Sequence, residues 1–302
     1  MTTTLRSLLK LARPKQWVKN FFLFAPLIFS KHLFDWAYVS QALLGFAVFS
    51  VLSSVVYVMN DITDREADRL HPTKRNRPLA SGQLSVGLAS VFAAVLLAVV
   101  VLLASTLPLK FQILAAVYFV INTLYSFWLK RVTLVDVFII AAGFMIRVVA
   151  GAFVIGVMVS HWLVLCTLFV SLFLAISKRR GELLLFEDAG ASSGRDVLRE
   201  YDLGFIDQLI TIAAAGMAIS YALYTVAQRT VQVFGTENLI FTTVFVLFGI
   251  FRYLFLMKKR KVEDNPMTLL VTDGAMMLNI VAWFACCVLI IYYDEFLHLV
   301  RQ

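Results

Sequence analysis

Charged residues are scarce in this chain. Asp, Glu, Lys and Arg make up 15% of its 302 residues, where soluble domains carry about 25%. That is too little charge to solvate a globular surface. Cysteine is nearly absent as well. Cys166, Cys286 and Cys287 all lie inside apolar stretches and have neither disulfide-framework nor metal-site spacing, so they read as small core- or lipid-facing residues. The stretch from Met1 to Lys19 lacks the apolar core of a cleavable signal peptide. The alternating segments of about ten residues that build a transmembrane β-barrel do not occur. No internal repeat, low-complexity tract or composition break sets off a second domain. The net charge of +8 does not form a nucleic-acid-binding stripe, because the basic residues fall in short clusters between apolar runs. Nucleic acid is therefore not an expected partner.

Apolar residues supply 61% of the sequence, in runs of about 18 or more, the length that crosses a bilayer as a helix. The expected fold is an all-α, polytopic transmembrane helical bundle forming one integral membrane domain over 1–302. About nine spans are predicted, at 15–33, 37–60, 86–106, 109–129, 133–155, 161–178, 208–228, 238–257 and 275–295. Before them, residues 1–14 place Leu5, Leu8, Leu9 and Ala12 on one helical face and Arg6, Lys10 and Arg13 on another, the pattern of a helix lying on the membrane surface.

Basic residues collect on one side of these spans. They include Arg6, Lys10, Arg13, Lys15 and Lys19 of the amino-terminal segment, the last two in the opening turns of the first span, Arg65 to Arg77 in the 2–3 loop, and Lys130 and Arg131 in the 4–5 loop. The 6–7 loop carries Lys178, Arg179, Arg180, Arg195 and Arg199, and the 8–9 loop Arg252 and Lys258 to Lys261. Only Lys31, Lys110, Arg229 and Arg301 fall on the other side, with Arg147 inside a span. The positive-inside rule thus predicts a cytoplasmic amino terminus, and nine spans send the carboxyl terminus outside. The long loops, at about 61–85, 179–207 and 258–274, share the cytoplasmic side, where chemistry on water-soluble substrates is expected.

The densest polar feature is Asn60-Asp61-Ile62-Thr63-Asp64-Arg65-Glu66-Ala67-Asp68, where the second span ends. The i, i+3, i+7 spacing puts Asp61, Asp64 and Asp68 on one face of a continuing helix. Crowded carboxylates repel unless a cation neutralises them, and hard oxygen ligands suit Mg²⁺, which binds one or two carboxylates together with substrate phosphates. A solvated acidic helix end paired with nearby bases is the plainer alternative. Downstream, Arg69, Lys74, Arg75 and Arg77 fit either a clamp on phosphate oxygens or inside-positive topology signals, and His71 has no ligand partner at metal-site spacing.

Three further places carry polar chemistry. Lys178 and Glu182 lie one turn apart at the end of span six, as a second half-site or as a surface ion pair. Asn122, Tyr125 and Ser126 share a face of span four approaching Lys130, where polar side chains either line a cavity or bond between helices. Arg147 lies deep in span five, which by default marks a site or a buried pair, whereas Asp136 at the start of that span reads as interfacial.

The Asn60–Asp68 cluster closing the second of nine spans resembles the UbiA superfamily of intramembrane prenyltransferases, along essentially the whole chain. Members carry a second aspartate-rich motif after the sixth span, which with the first holds Mg²⁺ and a prenyl diphosphate. Here Lys178, Arg179 and Glu182 stand in its place. Arg13-Pro14-Lys15-Gln16-Trp17-Val18-Lys19-Asn20, the run from Asn60 through His71-Pro72-Thr73-Lys74-Arg75 to Arg77-Pro78, Lys178-Arg179 with Glu182, and Ile146-Arg147 with Ala150-Gly151 are similar to the branch that acts on decaprenyl phosphate. That resemblance implies a pentosyltransferase of a bacterial-type cytoplasmic membrane, serving cell-envelope synthesis. The donor would be 5-phosphoribosyl diphosphate, the acceptor a polyprenyl phosphate and the cofactor Mg²⁺. It implies Asp61, Asp64 and Asp68 as catalytic metal ligands. Substrate contacts would come from Lys15, Lys19, Asn60, Arg69, Lys74, Arg75, Arg77, Tyr125, Lys130, Arg147, Lys178, Arg179 and Glu182, and homo-oligomerisation is left open. The alternatives are transfer of an isoprenoid from a prenyl diphosphate, and a transporter. Against the latter, the acidic cluster sits at a membrane face rather than near the midplane where carriers bind.

Overall fold

A computed structural model of the chain describes residues 2–70, 74–188, 200–259 and 272–293, and all regular structure among them is helical. The chain divides into two compact units, Met1–Val159 and Ser160–Gln302.

The first unit opens with α1 (Thr2–Ala12). Leu11 is buried with Val58, Leu79, Leu84, Ala89 and Ala93, and Ala12 is buried too, while Leu5 and Leu9 stay exposed. Arg13 then turns the chain in the left-handed region, at φ 52°. An α conformation before a proline is disfavoured, and a non-glycine residue in the left-handed region costs about 1–3 kcal/mol. Pro14–Phe24 follows as a 3₁₀ segment of 11 residues, long for a form rarely exceeding about 3–4 residues. Its period of three residues explains how it is held. Trp17, Asn20 and Leu23 recur along one edge. Trp17 Nε1 donates to Ser54 Oγ at 3.0 Å and Asn20 Nδ2 to Ser50 Oγ at 3.1 Å. Leu23 presses its carbonyl on Gly151, where an added Cβ would lie 2.0 Å from that oxygen. A short α2 (Ala25–Ile28) completes the entry.

Asp35 caps α3 (Trp36–Thr63), accepting from Ala37 N at 3.0 Å. At about 1.5 Å per residue, α3 exceeds the ~30 Å hydrocarbon core, so its polar end lies beyond an apolar crossing. After α4 (Arg65–Leu70) come α5 (Val86–Ala104), α6 (Leu109–Phe127) and α7 (Val135–Val154). Phe49, Phe111, Tyr118, Ala150 and Val154 belong to the core joining α3, α6 and α7. By contrast, α5 leaves Val91, Val95, Val101 and Leu102 exposed, a surface suited to lipid.

The second unit holds α8 (His161–Asp188), α9 (Leu203–Val226), α10 (Gln228–Phe234), α11 (Thr243–Lys259) and α12 (Gly274–Ile291). Gly216 lets α9 lie against the Phe169 ring of α8, whose nearest carbon would stand 2.3 Å from an added Cβ. Asp202 caps α9 through Gly204 N and Phe205 N. Asp273 caps α12 through Met276 N and accepts both Arg252 Nε and Nη2, at 3.0 and 2.7 Å, tying the start of α12 to α11.

Eight helices among the described residues are long and apolar enough to cross a membrane, and they fall on the second to ninth expected spans. The stretch expected as the first span, 15–33, differs. It is the 3₁₀ segment followed by α2 rather than an α-helical rod, because Asn20, Trp17 and the Leu23 carbonyl are anchored at a three-residue period. The sixth expected span also runs on, so that Lys178 to Glu182 lie within α8 rather than in a loop. His71, residues 189–199 with Arg195 and Arg199, and residues 260–271, all expected in basic loops, lie outside the described residues.

Candidate active site

The polar end of α3 is broken at one residue. Thr63 ends the helix, Asp64 adopts φ −91° and ψ 3°, and α4 resumes at Arg65. Backbone hydrogen bonds still step across the break, from Asp64 N to Asn60 O at 2.9 Å and from Asp68 N to Asp64 O at 2.8 Å. The three aspartates expected on a single continuing helix are therefore divided between cations. Arg77 Nη1 donates to Asp61 Oδ1 at 3.1 Å and to Asp68 Oδ2 at 2.6 Å. Arg13 Nη2 donates to the same Asp61 oxygen, and Lys130 Nζ donates to Asp64 Oδ1. The side chains of Asp61 and Asp68 are 2% and 6% exposed, against 24% for Asp64. Carboxylates buried this deeply need close cations.

Among the described residues, no group of three or more His, Cys, Asp or Glu is arranged to hold a metal ion. The donor chemistry nevertheless fits Mg²⁺: Asp61 of α3, Asp64 at the break and Asp68 of α4 put three hard-oxygen carboxylates within eight residues of chain.

The other expected contacts distribute as follows. Arg69 is held by Glu66, at 2.9 and 3.1 Å, and donates from Nε to the Ala80 carbonyl at 3.2 Å, bracing the loop that carries Arg77. Arg75 and Lys15 are exposed, while Asn60, Lys74 and Tyr125 are half-buried. Lys19 lies in the 3₁₀ segment, outside the eight crossing helices. Burial, then the guanidiniums of Arg147 and Arg13, lower its ammonium from 10.5 to about 8. Arg147 is the hub of a buried network. It donates from Nε to Asn20 Oδ1 at 2.6 Å, from Nη1 to the Gly143 carbonyl at 2.7 Å and from Nη2 to Tyr118 Oη at 2.7 Å. It thereby ties the 3₁₀ segment to α6 and α7. Asn122 Nδ2 and Ser126 Oγ bond back to carbonyls of their own helix, at 2.8 and 2.9 Å, as polar groups in membrane helices commonly do. Asp136, expected at an interface, is fully buried at the start of α7.

In the second unit, Arg179 is 1% exposed and bonds Glu182, whose other oxygen lies 3.6 Å from Lys178 Nζ. Arg180 Nε donates to Asp207 Oδ1 at 2.7 Å, joining α8 to α9. The roles of Arg13 against Asp61, and of Asn20 and Tyr118 around Arg147, were not read from the sequence. Arg13-Pro14 was the available signal, since a proline restricts the backbone of the residue before it, here a charged one.

Eight helices among the described residues that are long and apolar enough to cross a membrane, with carboxylates and counter-cations gathered where α3 gives way to α4, define an all-helical, polytopic membrane protein. The chain belongs to the UbiA prenyltransferase family, whose model matches residues 21–271. It is 38% identical to the decaprenyl-phosphate phosphoribosyltransferase of Corynebacterium glutamicum over 72% of this chain and 66% of that one, just under two thirds. It is 37% identical to the protein of the same name from Mycolicibacterium smegmatis, over 72% and 69% of the two chains. A UbiA homologue from Archaeoglobus fulgidus, solved with DMAPP and Mg²⁺, shares the fold with a TM-score of 0.71 at 20% identity, over 93% of this chain and 99% of that one.

Proposed function

We propose that this integral membrane protein is a transferase that moves 5-phosphoribose from 5-phosphoribosyl diphosphate to a polyprenyl phosphate, releasing diphosphate. The named relatives support the reaction class. The observation that carries it is the Asp61–Asp64–Asp68 cluster with Arg13, Arg77 and Lys130 against it: both charges needed to hold a metal diphosphate lie at one helix end.

The bond that breaks joins ribose C1 to the diphosphate oxygen, and the bond that forms joins C1 to an oxygen of the acceptor phosphate. A phosphate monoester has its second pKa near ~6, so the acceptor is already a dianion at neutral pH and needs no strong general base. Asp61, Asp64 and Asp68 would hold Mg²⁺. When bound, the ion neutralises charge that develops on the departing diphosphate. Arg13, Arg77 and Lys130 supply donors to phosphate oxygens once these replace the carboxylates as partners. Lys19 is assigned to the donor's phosphates, and Lys178 and Arg179 of α8 to its 5-phosphate, with Glu182 orienting them. Lys15, Asn60, Arg69, Lys74, Arg75 and Tyr125 are assigned supporting contacts at the same face. Arg147 acts by fixing the 3₁₀ segment that carries Lys19.

The site is proposed to face the cytoplasm, with the amino terminus on that side of a bacterial inner membrane. Release of diphosphate that depends on both polyprenyl phosphate and Mg²⁺ tests this reading, and diphosphate release unaffected by leaving out the lipid phosphate would contradict it.

A further inference from the structure

The cations at the α3 end come from three separate places. Arg13 stands at the left-handed turn after α1, Arg77 in the loop before α5, and Lys130 in the turn after α6. Each aspartate has at least one of them on a carboxylate oxygen, and Arg77 bridges two. Three formal negative charges thus face three formal positive ones. The side chains of Arg13 and Arg77 are 23% and 25% exposed and that of Lys130 13%, so all three retain a solvent-facing part, while Asp61 and Asp68 are buried beneath them.

A bare divalent ion arriving here finds carboxylates that are already neutralised. To bind, it must part the ion pairs and leave guanidinium and ammonium groups beside a second positive centre with no anion to receive them. A diphosphate removes that obstacle, because its oxygens accept the same N–H donors as the carboxylates are released. We propose that Arg13, Arg77 and Lys130 are internal counter-ions that make divalent-metal binding conditional on the diphosphate, so that the two are held cooperatively. Arg77 is the central element, since it alone closes two carboxylates. The coupling is reciprocal: the metal tightens the anion by the same factor as the anion tightens the metal. This inference rests on the proposed role of the aspartates as metal ligands.

Equilibrium dialysis of radioactive ⁵⁴Mn²⁺ against the full-length protein in detergent tests it, with and without inorganic diphosphate, compared at equal free Mn²⁺. The wild type is expected to hold Mn²⁺ at least about tenfold more tightly with diphosphate present, within the ~5–150-fold range of coupled sites. Arg77→Gln and Lys130→Gln, which open different carboxylates, are each expected to bind Mn²⁺ alone more tightly than the wild type, with the effect of diphosphate reduced. Asp61→Asn is expected to lose retention in both conditions. Equal Mn²⁺ affinity with and without diphosphate in the wild type, abolished by Asp61→Asn, would overturn the counter-ion proposal while leaving the metal-ligand reading intact. No Mn²⁺ retained under either condition would overturn both.

Discussion

Asp61 and Lys19 carry the sharpest expectations for single residues. Asp61→Asn removes a buried charge shared by Arg13 and Arg77, so turnover is expected to fall by at least about 100-fold, as for loss of one preorganised electrostatic group. Steady-state kinetics on detergent-folded protein checks this, and EDTA should abolish wild-type turnover until Mg²⁺ is restored. Lys19 gives a pH dependence. Its lowered value, about 8 against 10.5, means that the free protein carries this charge below about pH 8 and loses it above. Donor KM is therefore expected to rise above pH 8, by up to about tenfold per pH unit. Unfolding does not explain such a loss, since between about 8 and 10.5 the unfolded chain binds the extra proton and stability rises with pH. Lys19→Arg, charged throughout, should flatten the profile. Lys178→Ala is expected to raise donor KM about ten- to a hundredfold with little change in kcat, the loss of one charge-assisted hydrogen bond. The aspartates stood out in the sequence because three of them share nine residues. Their partners did not, since Arg13 and Lys130 lie 48 and 66 positions away from the carboxylates they bind, and one sequence carries no record of such pairings.

Among the elements, the 3₁₀ segment and α4 account for what the sequence concealed. Apolar runs sufficed to place the eight crossing helices, because lipid imposes length and composition together. Residues 15–33 read as a span on the strength of their apolar second half, yet the polar groups of Pro14–Phe24 are satisfied by α3 and α7, and only the folded chain shows their three-residue match. Likewise, the spacing of Asp61, Asp64 and Asp68 implies one helical face only if the helix continues, and the turn at Asp64 gives that residue to Lys130. The close approach of Leu23 to Gly151 leads to a test. Gly151→Ala must push the segment off α7, with an expected cost of about 1–3 kcal/mol and a loss of donor affinity through displaced Arg13 and Lys19. Thermal unfolding and donor KM should shift together. Leu27→Ala, a buried truncation in the neighbouring α2, should lower stability with a smaller effect on KM.

At the scale of the whole molecule, the asymmetry of Lys and Arg predicts orientation. In oriented vesicles with the native cysteines replaced, Leu70→Cys should react with a membrane-impermeant thiol reagent only from the cytoplasmic side, and Thr106→Cys only from the opposite side. Both positions are exposed in the structure, so burial does not obscure the result. Orientation matters because 5-phosphoribosyl diphosphate is a polyanion that does not cross a bilayer unaided, whereas the polyprenyl chain needs an apolar surface such as the lipid-exposed helices offer. A water-soluble sugar donor is proposed to meet a lipid phosphate at the α3 end. The most direct test is incubation of the purified protein and Mg²⁺ with ribose-labelled 5-phosphoribosyl diphosphate and polyprenyl phosphate, followed by organic extraction. Label is expected in the organic phase, requiring the lipid phosphate and disappearing in Asp61→Asn. No transfer from the ribosyl donor, with label instead moved from a radioactive prenyl diphosphate to an acceptor, would contradict the proposed transfer.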